Sequence, residues 1–207
     1  RGLHQKAAPA ADAKQWAREA LAQVYGVDLN PYAVAISRFR LLVAYVRAAG
    51  IAKLREAPDD LALDQHVVVA DSLLYGGSGL LSGAGQKELA ESVNDRATRQ
   101  ALGGGLFELE DPAAARAVFD RAYQVVVGNP PYITCKDAAL RETYRKRYPE
   151  SASGRFALGA PFTERFFELA RAGGYVGLIN ANSFTKREFG KALIEKVLSR
   201  VDLTHVL

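Results

Sequence analysis

Three short apolar runs constrain the fold of this chain more than any other feature, because each ends abruptly in residues that carry chemistry. Val24 to Asp28 and Val67 to Asp71 each finish on an acid, and Tyr123 to Val127 runs into Gly128-Asn129-Pro130-Pro131-Tyr132. Tyr175 to Ile179 is a fourth such run, and Leu203 to Leu207 has the composition to begin a fifth. Continuous apolar strands without polar alternation are the mark of strands buried on both faces. Between them lie helical patterns. One passes through Trp16, Leu21 and Val24, with Asp12 as its cap, and one runs from Pro31 to Ala49, capped by Asn30 and stopped at Gly50. Another runs from Asp111-Pro112 to Phe119, and another from Pro161 to Ala172 with Phe162, Phe166, Phe167 and Leu169 on its apolar face. Phe184 to Val201 contains one more. Alternation of this kind predicts an α/β domain with a parallel sheet covered on both sides, in which ligands bind at the carboxyl ends of the strands.

The rest of the sequence narrows the setting. A length of 207 residues fits one domain. No run approaches the eighteen or more apolar residues of a membrane span, no leader pattern is visible, and a single cysteine, Cys135, fits a reducing compartment. These features predict a cytoplasmic protein with no membrane partner. The histidines, His4, His66 and His205, are scattered and no metal-ligand spacing exists, so no metal is expected. Residues 75 to 105 are rich in Gly, Ser and Ala and predict a surface excursion. The chain contains no methionine and opens on Arg1-Gly2-Leu3, which reads as an internal segment of a longer protein.

Asn129-Pro130-Pro131-Tyr132 solves a specific chemical problem. The exocyclic amine of adenine is a poor nucleophile because its lone pair is delocalised into the ring. The side-chain oxygen of Asn129 and the carbonyl of Pro130 can each accept a hydrogen bond from that amine and draw the nitrogen toward tetrahedral geometry. The prolines, Pro131 included, fix φ and hold the carbonyl in place. Tyr132 offers a flat face on which an extruded base can stack. Catalysis of this kind is positioning plus electrostatics, without a covalent intermediate. A tight turn after a strand also favours Asn and Pro, so the four residues gain weight from their place after a valine run and two acid-tipped strands.

With those residues in view, the chain resembles the gamma-type N6-adenine DNA methyltransferases, in particular the large methyltransferase of the phage growth limitation and BREX phage-defence systems. The matching stretches are Gly26 to Val34, Val69-Ala70-Asp71, Val126 to Tyr132, and Gly174 to Ile179 with Asn182-Ser183-Phe184. The resemblance implies a Rossmann-like class I fold, S-adenosyl-L-methionine as cofactor, and double-stranded DNA with a flipped adenine as substrate. It implies restriction-modification or phage-defence proteins as further partners. By the same likeness Asp28 binds the cofactor ribose, Leu29 packs on its adenine, Asp71 accepts from the adenine amino group and Ser72 joins the cofactor site, while a helix-cap or turn role stays open for either acid. The glycine-rich loop that follows the first strand should lie before Asp28. Residues 1 to 27 hold only Gly2 and Gly26, and the glycine clusters at 76–79 and 103–105 come too late. Residues 1–207 are therefore expected to be the central part of one catalytic domain, with a surface insertion near 75–110. The first strand and its loop, the second aromatic wall and the target-recognition domain are expected outside it. As an isolated segment it is expected to bind cofactor weakly and to be inactive.

Other readings stay open on the residues alone. Lys136, Arg141, Arg145, Lys146 and Arg147, opposed over the same stretch by Asp137 and Glu142, could track DNA phosphates or form a solvated helix with a Glu142–Lys146 pair. Cys135 follows a threonine, not the proline that precedes the nucleophile of cytosine-C5 enzymes, which argues against a thiol mechanism. Asn182, Ser183 and Lys186 follow a strand tip and could touch substrate. Release-factor glutamine methyltransferases and ribosomal RNA methyltransferases use the same or a related turn, and a module that binds DNA or a partner without catalysis is a third possibility.

Overall fold

The computed structural model describes residues 10–75 and 112–206. The glycine-rich excursion, the cap at Asp111 and the clusters at 76–79 and 103–105 lie outside the described residues. The described residues fall into two compact units, 10–71 with 112–118 and 72–75 with 119–206.

In the first unit, α1 (Ala10–Leu21) packs on α2 (Pro31–Ala48) through Ala17, Leu21, Tyr45 and Ala49. Asn30 caps α2 by accepting from Tyr32 N, and Gly50, at φ 66°, supplies the left-handed residue that ends it. Between the helices lies β1 (Gly26–Asp28), which pairs in parallel with β2 (Val67–Val69) at Gly26↔Val67, Val27↔Val68 and Asp28↔Val69. The short helix α3 (Leu63–His66) leads into β2. Val34 and Leu41 of α2 pack on Val67 and Val69, and Arg38 Nε donates to Val67 O at 2.8 Å. Two expectations need correction here. Asp12 lies inside α1, not at its cap, and Trp16 is 57% exposed because the helix buries the stripe of Ala17 and Leu21 instead.

The helix α4 (Pro112–Phe119) runs from the first unit into the second. There β3 (Tyr123–Gly128) pairs in parallel with β4 (Ala170–Leu178). The helices α5 (Ala138–Arg147) and α6 (Gly159–Leu169) come between them in sequence. The helix expected to reach Ala172 stops at Leu169, and the strand begins at once. Tyr123 pairs with Ala170 but Val125 with Tyr175, so β4 bulges, and Gly173, at φ 73°, takes the left-handed turn inside the bulge. Phe166 of α6 packs against Gly128, where a Cβ would fall 2.5 Å from its ring. The core of this unit joins Leu73, Tyr148, Phe156 and Leu193, each almost fully buried.

The described strands pair in parallel two by two, and in the second pair one face carries the exposed side chains. Val125, Val127, Tyr175 and Ile179 alternate outward and are exposed, contrary to the expectation of strands buried on both sides. After β4 the expected single helix is broken into α7 (Ser183–Lys186) and α8 (Phe189–Ala192), followed by a wide turn, Leu193–Val197, and a tight one, Leu198–Arg200. The break falls at Arg187 and Glu188, and Gly190 of α8 lies against the Phe184 carbonyl, a contact that leaves no room for a side chain. Residues 202–206 form no strand, against expectation; no described neighbour pairs with them. Parallel strand pairs alternating with helices are the arrangement of the Rossmann-like class I fold.

Candidate active site

Gly128 is the last residue of β3, and its carbonyl accepts from Ile179 N at 3.1 Å, which extends the pairing with β4 by one step. Pro130 and Pro131 have no N–H to continue the ladder, so the chain turns here. Pro130 is buried, while Asn129, Pro131 and Tyr132 are exposed. The hydroxyl of Tyr132 donates to Asn129 Oδ1 at 2.6 Å and approaches Ile179 O at 3.5 Å. Beyond the turn, Leu158 N donates to Ile133 O at 2.8 Å, and Thr134 bridges Ala157. The turn is thus pinned to β4 on one side and to the approach of α6 on the other. Asn180, just past β4, accepts from Ala181 N at 2.9 Å and closes against Gly159, whose missing side chain makes the contact possible.

This geometry suits the chemistry expected of the motif. An amide oxygen has two lone pairs, so Asn129 Oδ1 can accept a second donor beside the Tyr132 hydroxyl. Tyr132 presents its ring at 52% exposure, which leaves a flat apolar surface for a base.

In the first unit the two acids stand at one edge. The parallel register sets Asp28 opposite Val69, and Asp71 follows two residues later on the same strand path. Asp28 is exposed; its Oδ1 accepts from Asn30 N at 2.7 Å, and its carbonyl accepts from Ala70 N. One bond orients the carboxylate and leaves further lone pairs for a ligand, so the turn role and the binding role are compatible. Leu29 is 47% exposed beside it. An outward carboxylate next to an apolar side chain suits a nucleoside, since the carboxylate can accept from ribose hydroxyls while the apolar side chain meets the base. Asp71 is buried at the end of its strand, and Ser72, which follows it, gives its carbonyl to Arg165 Nε at 3.1 Å.

The basic stretch separates into distinct environments. Arg147 has its side chain only 9% exposed and pairs with Glu168 at 3.0 Å. Arg141 donates to Cys135 O at 3.3 Å, and Arg145 engages Glu142 and the Gly154 carbonyl. The helical alternative is correct in form, with Asp137 capping α5, but Glu142 pairs with Arg145 and not with Lys146. Lys136 and Lys146 project from the surface. Cys135 is buried, its thiol directed at Asp137 O.

Two residues escaped the sequence reading. Arg165 is 1% exposed in the middle of α6, and Glu168 is the acid that binds it. The only sequence signal was a cation inside an otherwise apolar helix face. Glu164 of the same helix has its carboxyl pushed above the ordinary glutamate range, chiefly by burial. The neighbouring acids Glu168 and Glu150 add to this, and Ser151 and Arg147 oppose it. Among the described residues no three His, Cys, Asp or Glu side chains gather as a metal site, and no helix is long and apolar enough to cross a membrane.

Known proteins resemble the chain. It is 45% identical over 210 residues to the adenine-specific methyltransferase PglX of Streptomyces coelicolor, covering 96% of the chain but 16% of that protein. It is 34% identical over 91 residues to the type II methyltransferase M.XhoI of Xanthomonas vasicola. It is 35% identical over 89 residues to M.PaeR7I of Pseudomonas aeruginosa. These two matches cover 43% and 42% of the chain and 16% and 15% of the relatives. The profile of the Eco57I restriction-modification methylases matches residues 22–206, nearly the whole sequence. This chain belongs to the Eco57I restriction-modification methylase family.

Proposed function

We propose that this chain is part of the catalytic domain of a site-specific DNA methyltransferase that modifies the N6 amine of an adenine extruded from double-stranded DNA. The setting proposed is a cytoplasmic restriction-modification or phage-defence system, with other defence proteins as partners. Asp28 and Leu29, with Asp71 and Ser72, hold S-adenosyl-L-methionine in this proposal. When bound, that cofactor supplies an electrophilic methyl group on sulfur. Asn129 Oδ1 and the Pro130 carbonyl each accept a hydrogen bond from the adenine amine, which draws its lone pair back to nitrogen and aims it. Tyr132 stacks on the base and replaces the neighbours it lost on leaving the duplex. Lys136 and Lys146, and Arg141, Arg145 and Arg147 so far as their internal partners allow, face the phosphate backbone.

The observation that carries the proposal is the pinned, outward-facing Asn129–Tyr132 turn at the end of β3. The relatives, an adenine-specific methyltransferase and type II methyltransferases, support DNA over the glutamine and ribosomal RNA alternatives. The test uses the full-length protein that contains this segment. It is supplied with methyl-labelled cofactor and offered double-stranded DNA, ribosomal RNA and release factor in parallel. Label is expected in DNA alone, as N6-methyladenine in the digested nucleosides. Label in RNA or release factor, or in cytosine, would overturn the assignment.

A further inference from the structure

We propose that Arg165 is a positioning residue for cofactor capture, acting through the backbone that follows Asp71; the proposal rests on the functional reading above. Asp71 follows β2, and the next four residues lie outside the described strands, so their carbonyls take partners other than a ladder. Burial of such groups requires partners. Arg165 supplies two of them from α6: Nε donates to Ser72 O at 3.1 Å and Nη2 to Tyr75 O at 2.5 Å. Tyr148 supplies another, its hydroxyl donating to Leu73 O at 2.8 Å in a buried bond.

The guanidinium is itself held on every side. Nη1 donates to Glu168 Oε2 at 2.9 Å, and its flat face lies 5.0 Å from the centre of the Phe119 ring. Glu168 is fixed in turn by Arg147. A fully buried arginine contributes little net stability, because desolvation offsets the ion pair. What its planar fork does supply is direction, since two carbonyls and one carboxylate are met at fixed angles. The next residue along, Phe166, is the one that packs against Gly128 beneath the Asn129 turn. One turn of α6 therefore anchors both the run after Asp71 and the base of the candidate catalytic turn. Lysine cannot replace this fork, since a single ammonium cannot reach both carbonyls and the acid in the same geometry.

The test compares wild-type full-length protein with Arg165→Lys and Glu168→Gln. Cofactor affinity is measured by calorimetry in the absence of DNA, DNA affinity separately, and kcat at saturating cofactor. For Arg165→Lys, cofactor Kd and KM should rise by about tenfold, while DNA Kd stays within about twofold and kcat within about threefold. Glu168→Gln keeps the shape and weakens the hold on Arg165, so it should give a smaller change of the same kind. Cofactor affinity unchanged in Arg165→Lys, or cofactor affinity, DNA affinity and kcat all falling by a common factor, would overturn the proposal. If Arg165→Lys does not fold, Glu168→Gln decides by the same criteria. A wild-type protein that binds cofactor but modifies no adenine refutes the functional reading and leaves the clamp testable by binding. One that binds no cofactor refutes both.

Discussion

The hydroxyl of Tyr132 donates to Asn129 Oδ1, and that bond separates two roles merged in the four-residue motif. The ring is the proposed stacking surface, while the hydroxyl fixes the amide before a base arrives. Tyr132→Phe should therefore keep methylation within a few-fold of wild type. Tyr132→Ala should lose about 10- to 100-fold, the range that base stacking on an aromatic ring spans. Asn129→Ala removes the acceptor itself and should lower kcat by about two to three orders of magnitude, with DNA affinity largely spared. Quantifying N6-methyladenine alongside DNA binding checks all three. This turn was legible in sequence because its parts are contiguous: strand, glycine, acceptor, prolines, aromatic. Arg165 was not, because the carbonyls it serves lie 93 and 90 residues away. The internal commitment of Arg147 was hidden for the same reason, its acid being on another helix.

Among the elements, α6 does the most positioning and was only half visible. Its apolar face of Phe162, Phe166 and Leu169 was plain from spacing, but its end was not. Gly173-Gly174 reads as a helix stop, yet Gly173 serves a bulge within β4, and the helix has already ended four residues earlier. The exposed faces of Val125 and Val127 were equally unreadable, since a valine run looks the same whether one side or both are covered. The charge on α6 carries a pH dependence. Glu164 binds its proton more tightly in the folded chain than in the unfolded one, where its ordinary value is 4.5. Its contribution to stability is therefore present at acid pH and is lost as pH rises through the raised folded value. Glu164→Gln should match wild type near about pH 4 and melt higher than wild type near about pH 8. Each kcal/mol gained is worth on the order of 2–4 °C in a protein of this size or larger. Melting curves that stay parallel across that range would contradict the burial of this carboxyl.

For the molecule as a whole, charge is modest, +4 over 207 residues, and its distribution matters more than its sum. Sequence suggested five cations after the candidate catalytic turn, but the fold ties three of them to internal acceptors and leaves Lys136 and Lys146 outward. Each of these two lysines that neutralises a phosphate should add about 0.9 to the slope of log affinity against log salt. Lys136→Ala and Lys146→Ala in the full-length protein should each flatten that slope by about one, with little change in base preference. Salt titrations of DNA binding would show it. The two units were not foreseen as such; the sequence predicts alternating elements, and which strands pair is decided by packing across long separations. The single thiol of this chain has a practical consequence. Cys135 sits three residues past Tyr132, buried, with its sulfur turned toward a backbone carbonyl. Maleimide should leave it untouched until the segment around it opens, so its alkylation rate is a clock for breathing of the Asn129–Tyr132 turn, readable without substrate and slowed by anything that holds the turn shut.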